Sequence, residues 1–295
     1  MSREKAGTAG SVEPPKNAQK LRVAIETAAH GRKATVKRLQ ALVGNVIVAQ
    51  MLPDSAVKGG TGLKLRFGDT VTRETPDLDA AFRGDRERFI ADLNTNLQAG
   101  WGDFTGKATA GQQRAPNELL ERVTYEYVMQ PAKVSLQYRK RPFMSVELEI
   151  GYDELEATTK ETVDLEMSDD VLTLFAELGL QVPDPVRVLP LHHQISQKLH
   201  ACSEPGSDRA HDLVDLQLMT PHADPALVRE TAVRLFAFRK SHEWPPTVVK
   251  NDGWKIRYDD AAEGLEVRDL DDAVTWVNEY IGLCAAAAID GSASS

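Results

Sequence analysis

Between Thr124 and Ile150 apolar residues recur at every second position in the runs Thr124–Val128, Lys133–Tyr138 and Met144–Ile150, whereas after about Val163 they recur at every third or fourth. A period of two suits a strand with one dry and one wet face, and a period near 3.6 suits a helix. The first half of the chain therefore reads as an antiparallel or mixed sheet with accompanying helices. The second half reads as helices, roughly Asp169 to Leu178, Leu191 to Cys202, Arg209 to Met219, Pro225 to His242 and Asp271 to Ala288. Two amphipathic helices precede the strands, from Ala18 to Ala29 and from Val36 through Ile47, the second closed by Pro53. Another runs from Arg86 to Leu97, and the Gly- and Ala-rich stretch from Gly100 to Gly111 reads as a loop. The expected organisation is an α+β protein: a polar leader at 1–16 with almost nothing to bury, an α/β domain at 17–165 and a helical domain at 166–295.

With 295 residues and 42% hydrophobic composition, the chain has material for one large core or two modest ones. Cys202 and Cys284 match no CxxC or Cys/His zinc spacing, so neither a disulfide framework nor structural zinc is expected and a reducing cytoplasm fits best. No apolar run approaches the roughly 18 to 20 residues of a membrane span. A formal charge of −9 argues against coating nucleic acid by electrostatics alone. Its distribution is uneven, however: Met1 to Arg38 carries nine basic residues against three acids, which allows a local polyanion site.

Ala56-Val57-Lys58 starts like a strand, Gly59-Gly60-Thr61-Gly62 turns, and Leu63-Lys64-Leu65-Arg66-Phe67 continues with a helical pattern. A glycine turn opening a helix offers bare backbone N–H groups to a triphosphate. Asp77 and Asp79 follow, and on a strand two residues apart face the same way, so their carboxylates can hold a hard divalent cation through oxygen. Such pairs support phosphoryl transfer by activating an attacking hydroxyl and clamping the leaving pyrophosphate. Glu149, between Leu148 and Ile150, is a candidate third ligand from a neighbouring strand, or one residue of a wet strand face with Glu147. Asp212 and Asp215, three apart, share a helical face on which a lysine can pair with them or with phosphate.

Taken together, Lys58-Gly59-Gly60-Thr61-Gly62-Leu63-Lys64-Leu65-Arg66, Asp77-Leu78-Asp79, Leu148-Glu149-Ile150, Lys198-Leu199-His200-Ala201 and Asp212-Leu213-Val214-Asp215-Leu216 resemble the AbiEii family of nucleotidyltransferase toxins, which includes the MenT toxins. The resemblance runs in order from about Val57 to Met219. It implies a polymerase-β-like nucleotidyltransferase core with a helical C-terminal domain, acting as the toxin beside a cognate antitoxin protein. It further implies transfer of a nucleotide from an NTP to the 3′ acceptor end of tRNA. Under it, Asp77 and Asp79 bind Mg2+ with Glu149 as possible third acid, Lys198 meets the triphosphate, and Asp212 or Asp215 joins the active site. Gly59, Gly60 and Thr61 form the nucleotide turn, with Arg66 and Arg73 as further candidates near the phosphates. The basic N-terminal helices and Arg139-Lys140-Arg141 are candidates for gripping an RNA backbone. Alternatives are a protein side chain as acceptor, or an inactive binding protein. Two departures stand out: the hydroxyl of the turn falls at Thr61, and His211 stands before Asp212 where a Lys or Arg is usual. A histidine there suggests a charge that changes near neutrality.

Overall fold

A computed structural model of the chain describes residues 12–112, 129–158 and 163–287. Its strands are β1 (Ala56–Lys58), β2 (Leu78–Phe82), β3 (Phe104–Ala110), β4 (Gln130–Tyr138), β5 (Arg141–Tyr152), β6 (Asp164–Glu166) and β7 (Val186–Val188). They form one seven-stranded sheet in the order β3–β4–β5–β2–β1–β7–β6. The long hairpin β4–β5 is antiparallel, β2 runs parallel to β5, and β1 pairs antiparallel with β2 and parallel with β7. Alternation along the hairpin works as expected: Val134, Leu136, Val146 and Leu148 are buried, while Lys133, Ser135 and Glu147 face solvent. The run Thr124–Val128 lies outside the described residues.

Helices α1 (Ala18–Arg32) and α2 (Val36–Ala49) cover the dry face. Asn17 and Thr35 cap them by accepting from Lys20 N and Arg38 N, which satisfies one orphan N–H at each end. Leu21, Ile25, Leu42, Val43, Val46 and Ile47 are all buried against the sheet. Ahead of α1, the Pro15 carbonyl accepts from the Tyr138 hydroxyl at 2.7 Å. Residues 1–11 lie outside the described residues.

The expected loop from Gly100 to Gly111 is instead the edge strand β3, paired with β4 from Phe104 opposite Tyr138 to Ala110 opposite Ala132. Its small residues give little strand signal, and the strand exists because of its neighbours. On its outer side, Asn94 of α4 (Arg86–Ala99) donates to Ala108 O and accepts from Ala108 N, closing part of the exposed edge. β6 and β7, three residues each, are too short to show alternation.

The helical half contains α6 (Leu191–Ser203), α7 (His211–Met219), α8 (Pro225–Arg239), α9 (Trp254–Ala262) and α10 (Leu270–Ala286). The sequence reading missed α9, whose dry stripe is thin: Trp254 and Tyr258 are its buried residues. α5 (Asp169–Glu177) and β7 belong to the sheet's core, which takes in residues as far as Val188, past 165; the second core resumes at Ile195. α3 (Gly59–Phe67) belongs to both, burying Leu65 in the first and Leu63 in the second. No helix among the described residues is long and apolar enough to cross a membrane.

Candidate active site

Strand register assembles the first part of the site. Lys58 on β1 stands opposite Asp79 on β2, and Asp79 stands opposite Glu149 on β5. Asp77 lies one residue before β2 begins. α3 starts directly where β1 ends, with Gly59 at φ 63°, a left-handed backbone that glycine adopts without strain. A Cβ on Gly59 would lie 2.1 Å from Asp79 Oδ2, and one on Gly60 would lie 2.0 Å from Thr75 Oγ1. The turn is therefore glycine because a carboxylate and a hydroxyl occupy the volumes of the missing side chains. Thr61 is turned the other way: its buried hydroxyl donates to Asp77 O and accepts from Asn45 Nδ2. Its side chain clips the turn to the acidic segment, so only its backbone remains to serve as the nucleotide contact expected of it.

The helical half supplies the second part. Lys198 Nζ, buried on α6, lies 2.7 Å from Asp212 Oδ1 and 2.7 Å from Asp215 Oδ2 on α7. Arg209 Nε is 2.9 Å from Asp212 Oδ2, and Arg73 Nε is 3.1 Å from Asp215 Oδ1. Burial alone would raise both carboxyl pKa values; Lys198 with Arg209, and Arg73 with Lys198, outweigh it and hold Asp212 and Asp215 below the ordinary range. Burial likewise works against charge on Lys198, and the two carboxylates overcome it, raising its pKa. Three cations thus meet two carboxylates. The surplus is felt at Asp79, where burial raises the carboxyl pKa although Lys58, Lys198, Arg209 and Arg73 all pull it down. His211 is no switch near neutrality: burial pushes it down to about 4, leaving it neutral at physiological pH.

The loop carrying Arg73 and Thr75 is anchored from beneath. Lys64 Nζ, 1% exposed as a residue, lies 2.5 Å from Asp69 Oδ1, and Arg38 Nε lies 2.9 Å from Asp69 Oδ2. Arg38 also donates to the Asp69 and Thr72 carbonyls. Removing one partner of a buried ion pair leaves an uncompensated charge at a cost of about 3–5 kcal/mol, so Asp69→Ala, which strands two cations, is expected to fall in that range. Lys64→Met should cost less, because Asp69 keeps Arg38. Urea unfolding of both variants tests this, and a larger loss for Lys64→Met would refute the assignment of Asp69 as the hub.

Arg66 sits elsewhere than expected for a phosphate contact: it is paired to Asp164 at 2.5 Å and Glu166 at 2.6 Å on β6, fastening α3 to the sheet edge. Among the described residues no three His, Cys, Asp or Glu side chains gather closely enough to hold a metal between them. Asp79 and Glu149 stand opposite one another on paired strands, and Asp77 lies one residue before β2. Magnesium asks for less, taking one or two protein carboxylates and completing its shell with phosphate oxygens and water. Asp79, where burial outweighs the pull of Lys58, Lys198, Arg209 and Arg73, is a carboxylate whose charge a bound cation would stabilise.

A cavity of about 710 Å³ adjoins the site across the Arg73–Asp215 pair. Its walls come from Val71, Val214, Leu218, Leu265 and Val267, with Arg73, Asp215 and Arg268 among the polar groups. Sequence reasoning assigned no role to Lys58, Thr75 or Arg209; only position 58, at the strand end before the glycines, carried a signal.

The family model described as nucleotidyl transferase AbiEii toxin, type IV TA system, matches residues 40–278. Among solved structures the fold is similar to MenT4, a nucleotidyltransferase toxin from Mycobacterium tuberculosis, with a TM-score of 0.57 and 14% identity over 91% of each chain. JHP933 from Helicobacter pylori aligns with a TM-score of 0.42 and 17% identity, over 82% of this chain and 88% of that one. Among curated proteins none matches in sequence.

Proposed function

The chain belongs to the AbiEii nucleotidyl transferase toxin family of type IV toxin–antitoxin systems, and we propose that it transfers a nucleotide from an NTP to the 3′ hydroxyl of the tRNA acceptor end, releasing pyrophosphate and blocking aminoacylation. One observation carries the reading: the carboxylate of Asp79 lies against the glycine start of α3, facing a cluster with surplus positive charge. The triphosphate binds at the α3 N-terminus, where first-turn N–H groups have no helical partners and the helix dipole favours anions. Lys198 spends two of its three N–H donors on Asp212 and Asp215 and has one left for a phosphate oxygen. Asp77 and Asp79 would hold a magnesium ion, which would supply charge neutralisation at the α-phosphate. The 3′ oxygen attacks the α-phosphorus in line, giving up its proton to solvent, and the bond to the β-phosphate oxygen breaks to release pyrophosphate; Glu149, opposite Asp79, is the candidate third acidic group. The cavity beyond Arg73 has a volume suited to a nucleoside.

Exposed Lys16, Lys20, Lys140 and Arg141 serve as RNA backbone contacts. Arg22 donates to the Pro142 and Phe143 carbonyls, so α1 and the β4–β5 turn lie together. The same reading gives the chain a cognate antitoxin protein as partner and the cytoplasm as its place of action. The test is incubation with magnesium, total tRNA and each α-labelled NTP in turn. Label on RNA that is absent with Asp79→Ala is expected; label on protein would make a side chain the acceptor, and no label from folded protein would overturn transferase activity.

A further inference from the structure

Thr75 is 6% exposed as a residue, and its Oγ1 has no hydrogen-bond partner among the described residues. Leaving a buried hydroxyl unpaired costs about 1–3 kcal/mol, so the native fold tolerates a loss there that Val, of nearly the same shape, would avoid. Its position gives the reason. Cα–Cβ bonds in a helix tilt toward the N-terminus, and Thr75 Oγ1 lies 2.0 Å from where the Cβ of Gly60 would stand. The hydroxyl therefore sits on the N-terminal rim of α3, beside the first-turn N–H groups. No side chain caps this nine-residue helix. On the same rim, Asp79 Oδ2 fills the place of the Gly59 side chain.

The geometry points to Thr75 as a direct ligand of the triphosphate, its hydroxyl donating to a non-bridging phosphate oxygen held at the start of α3. This rests on the triphosphate reading above and adds a residue to it. A hydroxyl has the right chemistry: it donates to the anion without adding a charge that would compete with Asp79. The Lys64–Asp69–Arg38 anchor and the Arg73–Asp215 pair fix the loop on which Thr75 rides, so the donor is pre-oriented.

The experiment measures binding of inorganic tripolyphosphate with magnesium by calorimetry for the wild-type chain, Thr75→Val and Thr75→Ser, with thermal melting of each in its absence. Hydrogen bonds to charged groups contribute about 1.5–3 kcal/mol, so Thr75→Val should bind roughly tenfold or more weakly, and Thr75→Ser within about threefold of wild type. Without ligand, Thr75→Val should melt no lower than wild type, since it removes an unpaired hydroxyl; a purely structural threonine would give the reverse. Undiminished binding by Thr75→Val overturns the assignment while leaving the triphosphate site standing. Absence of binding by the wild-type chain overturns both.

Discussion

Asp79→Asn is expected to abolish nucleotidyl transfer and, in the same molecule, to raise resistance to heat. In the proposed function Asp79 would bind the cation facing the reacting phosphate, so its loss should remove several kcal/mol of charge stabilisation, hence about 10³-fold or more in rate. The stability gain comes from the opposite sign of the same charge. Burial raises the Asp79 pKa in the folded protein, so above that raised value the folded state carries a charge the unfolded chain would hold more comfortably. Stability is recovered as pH falls through the raised folded pKa, which lies above the ordinary carboxylate value of about 3.9. The amide has no such charge to bear. In chelator, the variant should therefore melt higher than wild type at pH 7, and the difference should shrink as pH approaches 4. A variant that melts lower at pH 7 would show that Lys58 and its neighbours stabilise the ionised carboxylate after all.

Lys198→Met should instead cost both stability and activity. Asp212 and Asp215 are buried on α7, and the ammonium between them is their shared partner. Arg209 and Arg73 each retain one carboxylate, which places the loss toward the lower end of the roughly 3–5 kcal/mol typical of a broken buried pair. The pH dependence follows from the depressed carboxyl pKa values. The contribution is complete above the ordinary carboxylate value of about 3.9 and drains away as pH falls below it toward the lower folded values. Lys198, raised in the fold, keeps its own contribution until pH climbs through its folded pKa above about 10.4. Denaturant unfolding of the variant should thus show a lower stability at pH 7 and a shallower acid loss than wild type. Equal stabilities at pH 7 would mean that the buried triad contributes nothing net, and triphosphate binding by the variant would then isolate the chemical role of the ammonium.

What the sequence disclosed follows from the range of the forces involved. The Lys133–Tyr138 and Met144–Ile150 strands and the α6 and α7 helices carry their periods within themselves, and appear as expected. β3 does not: its Gly106 and Ala108 mean strand only because β4 pairs with one side and Asn94 with the other. The Asp77–Asp79 spacing and the glycines beside it were legible as chemistry. Pairing between strands was not, and it is register that sets Lys58 and Glu149 on either side of Asp79. Two arginines in the same region illustrate the limit. Arg66 and Arg73 look alike in the sequence, yet one is bound by β6 and the other reaches across to Asp215. Thr61 carries the expected hydroxyl but turns it inward, while Thr75, with no motif to announce it, presents at the rim one without a partner among the described residues.

α3 holds Leu63 in one core and Leu65 in the other, and its first residues are the glycines against which Asp79 and Thr75 rest. α3 is thereby tied to both halves at once, with the glycine turn at its tip. Leu63 lies little more than one helical turn from those glycines, so a shift of the helical half against the sheet would carry the glycine turn with it.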